Sequence, residues 1–158
     1  MRIPIFAANW KMNKLVRDTG EYVRKLSALL ANMPQKAGSD YELVIAPPAT
    51  HLMRLTEAVS GTSFKVGAQN SGTAKSGAYT GEISPVALKE VGCKWVIIGH
   101  SERRHVFGEN DSLVLLRARA AIEEELNVIF CVGEKLQQRK SGETFKPVES
   151  QLSFLKEQ

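Results

Sequence analysis

The stretch Val96-Ile97-Ile98-Gly99-His100-Ser101-Glu102-Arg103-Arg104 decides how this chain is read. A short apolar run ends in a glycine, a histidine follows, and polar residues suited to opening a helix come directly after it. That order sets an imidazole at the carboxyl end of a buried strand, the place where α/β folds hold their ligands. His100 is therefore the first candidate for chemistry. A lone histidine is otherwise a packed or solvated bystander, so its neighbours in the fold have to decide between the two readings.

Working outward, apolar runs at Ile3 to Ala8, Leu43 to Ala46, Phe64 to Gly67, Trp95 to Ile98 and Val128 to Val132 read as strands of a parallel sheet covered on both faces. Helical spacing falls between them. Tyr22, Leu26, Leu29, Leu30 and Met33 form one stripe; Val114, Ala118, Ala121 and Ile122 form a second; Val148, Leu152 and Leu155 form a third. Ser84-Pro85 reads as an N-cap followed by the first helical residue, Gly92 as the residue past that helix, and Asp111 as a further N-cap. The pattern is five β-then-α units in one domain over residues 1–158, the chain stopping near the end of its fifth helix.

Composition narrows the function classes. A formal charge of +4 with basic residues spread along 158 positions suits a small anionic ligand better than a nucleic acid, whose groove needs a concentrated basic patch. Cys93 and Cys131 stand far apart in apolar surroundings without CxxC or Cys/His spacing, so no metal is expected and a reducing cytoplasm is the simplest setting. Asn9 and Lys11 cut the apolar start short of a signal-peptide core, and no run approaches membrane-spanning length. Neither GxGxxG after a strand nor GxxxxGK[ST] occurs, which leaves no nucleotide or other cofactor motif.

Two architectures accommodate five such units. An open, doubly wound sheet of flavodoxin type closes at this length, whereas a (β/α)8 barrel takes about 250 residues. Length by itself favours the open sheet. The glycines at 72, 77 and 81 read as a turn-rich loop.

Taken together, the motifs favour the other architecture. Ala8-Asn9-Trp10-Lys11-Met12-Asn13 follows the first strand, Gly67-Ala68-Gln69-Asn70 and Gly77-Ala78-Tyr79-Thr80-Gly81-Glu82-Ile83-Ser84 follow the third, Gly99 to Arg104 follow the fourth, and Cys131-Val132-Gly133-Glu134 follow the fifth. In order and spacing this closely resembles the triosephosphate isomerase family, over essentially the whole chain. The resemblance implies an α/β fold that is an incomplete TIM (β/α)8 barrel of about five βα units with flanking helices. It also implies an isomerase of glycolysis and gluconeogenesis, cytoplasmic and without a cofactor, interconverting dihydroxyacetone phosphate and glyceraldehyde 3-phosphate.

By that resemblance His100 is the electrophile, held neutral by a helix N-terminus. Lys11 is the active-site lysine near the phosphate and the oxygens that gain charge, Asn9 orients it or the substrate, and Ser101 and Glu102 support the site, Glu102 as a salt-bridge partner of the lysine. The loop from Gln69 to Glu82 matches the family's dimer loop: Thr80 reaches the partner's site and Glu82 pairs with Arg103 across the interface, so a homo-oligomer is implied. Cys131 matches a buried thiol on the fifth strand. Glu134 is structural, and Glu109 and Glu143 read as loop or surface acids. The family's catalytic base, a glutamate after the sixth strand, matches no position here, nor do its lid and distal phosphate loops. The resemblance therefore implies the electrophilic half of the site, with the first and fifth strands as uncovered edges. The alternative is a non-catalytic homologue, or a complementing fragment, that binds a partner or a phosphorylated ligand.

Overall fold

A computed structural model of the chain describes residues 2–156, with side chains described through residue 153. Strands β1 (Ile5–Asn9), β2 (Glu42–Ala46), β3 (Lys65–Ala68), β4 (Trp95–Ile98) and β5 (Asn127–Phe130) form one sheet in sequence order, every neighbouring pair parallel. Unbroken order separates the two architectures. A doubly wound sheet reverses direction at a switch point, whereas strands added one after another through right-handed crossovers keep all helices on one face. The molecule is an incomplete TIM barrel, five strands of parallel sheet with helices along the outside.

The outer layer holds α1 (Thr19–Leu30), α2 (Leu52–Ala58), α3 (Pro85–Glu90), α4 (Ser101–His105), α5 (Asp111–Glu123), α6 (Leu136–Lys140) and α7 (Phe145–Lys156). Alternation within the strands sorts their side chains. Leu43, Ile45, Val66, Ala68, Val96 and Ile98 face the helices and join Leu52, Leu55, Leu88, Val114 and Ala118 in the main apolar core. Val44, Ala46 and Gly67 share the opposite face, where a Cβ on Gly67 would lie 2.8 Å from Val44 Cγ1. No described helix is long and apolar enough to cross a membrane.

Caps explain several boundaries. Ser84 accepts from the Ala87 N–H at 3.1 Å with Pro85 at the first helical position, and Gly92 takes φ +100° past the end of α3. The N-cap of α5 is Asn110, whose Oδ1 accepts from the Leu113 N–H at 2.9 Å; Asp111, expected in that role, is the first helical residue and pairs with Arg104 instead. The side-chain stripes also differ from their sequence reading. On α1 Val23 is buried while Leu29 is 74% exposed, and Met33 lies beyond the helix end. On α5 the buried row runs Val114, Arg117, Ala118, Ala121, and Ile122 stands outside it, 60% exposed. Of the third stripe, Val148 and Leu152 lie on α7, and the Leu155 side chain falls outside the described residues.

Only the inner strands are covered on both faces. Ile5 and Phe6 of β1 are 46% and 59% exposed, whereas Val44 and Val96 are fully buried. An apolar hollow of about 440 Å³ beside β1 is lined by Phe6, Leu30, Met33, Tyr41 and Leu43.

Candidate active site

The carboxyl ends of the strands assemble the site from separate turns. After β1, Trp10 turns into the core, where its ring meets Tyr22 edge-on at 4.9 Å, and its backbone N–H donates to Ala46 O at 3.0 Å. Lys11 follows with φ 52°, a left-handed conformation that costs a side-chain-bearing residue about 1–2 kcal/mol. Hydrogen bonds hold it from both ends. The Lys11 N–H donates to Asn9 Oδ1 at 2.9 Å, and Gln69 Nε2 donates to Lys11 O at 2.9 Å while also donating to Ala46 O at 2.9 Å. Three strand ends, β1, β2 and β3, are thereby fastened under one lysine.

His100 is set with equal economy. Gly99 takes φ +72° at the end of β4, and His100 becomes the N-cap of α4, its Nδ1 accepting the Glu102 N–H at 3.3 Å. With Nδ1 in that acceptor role, the ring nitrogen left to donate outward is Nε2. The Glu102 carboxylate joins the two turns: Oε1 receives Lys11 Nζ at 2.8 Å and Oε2 lies 3.5 Å from His100 Nδ1. Lys11 offsets the carboxylate's charge, and the same hydrogen bond from Lys11 holds the Glu102 carboxyl below its ordinary range.

A recess of about 230 Å³ opens beside the imidazole, lined by Gly99, His100, Arg104, Cys131 and Glu134. Cys131 lies one residue past β5 rather than on it and is half-buried; its N–H donates to Ile98 O at 2.9 Å, and burial raises its thiol. Ser101 is exposed at the start of α4. Glu134 is 3.7 Å from Arg139, and Glu143 is an exposed acid 3.4 Å from Lys146.

Behind the site sits a charge cluster. Glu109, read from sequence as a loop or surface acid, is buried, at 5% exposure. Its Oε1 takes Arg103 Nε at 2.7 Å and lies 3.2 Å from Arg117 Nε, a contact of charge rather than an aligned hydrogen bond, while Oε2 has no partner among the described residues. The Arg117 guanidinium also bonds Ser71 O and both carboxylate oxygens of Glu82, which pulls the Glu82 carboxyl down and raises Arg117. So within one chain Glu82 belongs to Arg117, and Arg103 to Glu109. Thr80 is exposed on the loop between β3 and α3, and Gln69 serves the Lys11 turn of its own chain. Arg117 had a sequence signal: a charge three residues after Val114 lies on a core stripe, where it has to find a buried partner.

Comparison with known proteins decides the family. Residues 4–158 match the family model described as triosephosphate isomerase. The chain belongs to the triosephosphate isomerase family. It is 45% identical to the triosephosphate isomerase of Aquifex aeolicus (strain VF5) over 150 residues, which is 95% of this chain and 59% of that protein. It is 44% identical over 152 residues to the triosephosphate isomerase of Trichlorobacter lovleyi, and 43% over 152 residues to that of Dictyoglomus turgidum, each time over 96% of this chain and 59% of the relative. The chain thus spans about three-fifths of the length of these triosephosphate isomerases.

Proposed function

We propose that this chain carries the electrophilic half of a triosephosphate isomerase site, acting on dihydroxyacetone phosphate and glyceraldehyde 3-phosphate once a general base is supplied to it. The observation that supports this most is the Lys11–Glu102–His100 cluster, an ammonium and an imidazole joined by one carboxylate at the strand ends. Isomerisation moves a proton between neighbouring carbons through an enediolate, whose oxygens gain negative charge. His100 Nε2–H donates to the carbonyl oxygen as that charge grows, and Lys11 offsets it together with the phosphate. Asn9 and Gln69 keep the lysine's backbone in place. Fixing these groups before the substrate arrives leaves little reorganisation to the reacting step.

Proton abstraction needs a carboxylate over the reacting carbon. Glu102 is committed to Lys11, Glu109 is buried against Arg103, and Glu134 lies 3.7 Å from Arg139. The base, in this proposal, comes with the part of the relatives that this chain does not span. A homo-oligomer in the cytoplasm belongs to the same proposal, with Gln69, Thr80, Glu82 and Arg103 near the shared interface.

Mixing the chain with a polypeptide covering the remaining two-fifths of a relative tests this in a coupled isomerase assay. Turnover that appears only with both pieces supports it. A complex that forms and binds triose phosphate without turnover supports the non-catalytic binder instead.

A further inference from the structure

Arg104 touches neither Lys11 nor Glu102, yet it is the most constrained cation near the imidazole. Its side chain is 8% exposed. Nε donates to Gly99 O at 2.8 Å, Nη2 donates to Cys131 O at 3.3 Å, and Nη1 bonds the Asp111 carboxylate. These acceptors come from three elements: the end of β4, the residue after β5, and the first turn of α5. Gly99 O belongs to the peptide that carries the His100 N–H, so the guanidinium grips the peptide plane from which the imidazole hangs. Gly99 in the left-handed region has a backbone free to swing if released, and a Cβ there would approach Arg104 Nη2 to 3.0 Å, which shows how closely the fork is fitted.

We infer that Arg104 is a positioning residue for His100: by fixing the Gly99–His100 peptide against the end of β5, it keeps His100 Nδ1 on the Glu102 N–H and the ring proton on Nε2. The inference deepens the function proposed above and rests on His100 being the electrophile of that site. A planar fork serves this purpose and an ammonium does not, because three acceptors in different directions need donors with fixed angles. The two carbonyl bonds set the fork's position, and Asp111 matches its charge from the opposite end.

The test reads the ring nitrogens of His100 by 15N NMR in the purified chain, with His51 as internal reference. His51 is buried with both ring nitrogens partnered, by Thr50 Oγ1 and Lys14 O, away from Arg104. In the unsubstituted chain His100 shows the resonance pair of one fixed tautomer, hydrogen on Nε2. In Arg104→Met the pair collapses toward the averaged values of an unrestrained imidazole while His51 keeps its shifts. Arg104→Lys fails to restore the pair. Asp111→Asn, which keeps the guanidinium and its two carbonyl bonds, retains the fixed tautomer even if Arg104→Met does not fold. A fixed Nε2–H tautomer persisting in Arg104→Met, or full restoration by Arg104→Lys, overturns the inference. Loss of the tautomer in Asp111→Asn with an intact His51 signal overturns it too. None of these readings depends on turnover, so failure of the isomerase assay leaves them interpretable.

Discussion

The proposed chemistry rests on single residues, and the sequence made several of them readable. His100 and Lys11 stand at strand ends because a short apolar run stops immediately before each turn, and Glu102 falls two residues after the histidine, where the opening of a helix turns it toward both. Gly99 was legible as a break but not as a fitted part. Its φ of +72° and the 2.8 Å that would separate an added Cβ from Val114 Cγ1 depend on side chains brought in by α4 and α5. Gly99→Ala is expected to lower the unfolding free energy by about 2 kcal/mol or more, from backbone strain and overpacking together. Urea titration measures this, and a loss below about 0.5 kcal/mol would contradict the fit. Cys93 shows the converse: fully buried, its thiol is pushed up to about 12, so at neutral pH it is inert packing. Thiol titration of the native chain is expected to leave Cys93 unreacted while denaturant exposes it.

At the scale of elements, local signals placed the strands well and the helix edges less well. Asn110 and Asp111 are both good N-caps, and only tertiary demand separates them: Arg104 claims the aspartate, so the asparagine caps. Asn110→Ala is expected to cost about 1 kcal/mol in the same titration, the usual value of a lost cap. Glu109 and Arg117 escaped for a related reason. Burial of a charge is a property of what packs over it, here the loop before α3, α4 and α5 around one cluster. That cluster sets a pH dependence. The folded chain holds Glu82 below its ordinary value of 4.5, so its contribution is complete above that value and lost as pH falls through the depressed one. Stability is expected to drop as pH falls below about 4.5, less steeply in Glu82→Gln, and equal slopes would remove Glu82 from the explanation.

For the whole molecule, strand order mattered more than length. Length favoured a doubly wound sheet, and consecutive parallel order with helices outside is instead a barrel segment. Chain length gives a prior on architecture, whereas ordered motifs report which strand follows which. The exposed β1 follows from the same topology, since Ile5 and Phe6 have a neighbour on one side only. Purified chain is expected to self-associate through that edge, and Phe6→Lys to lower the mass seen by light scattering at equal concentration. An unchanged mass would move the contact elsewhere. In the proposed function, the half-site depends on that edge receiving its complement. Reconstituted with a polypeptide that carries the relatives' remaining units, the chain should lose about 100-fold or more in kcat/KM on His100→Gln, as removal of a proton donor to the enediolate requires; a loss under about tenfold in a complex of equal stability would show that His100 is not the electrophile.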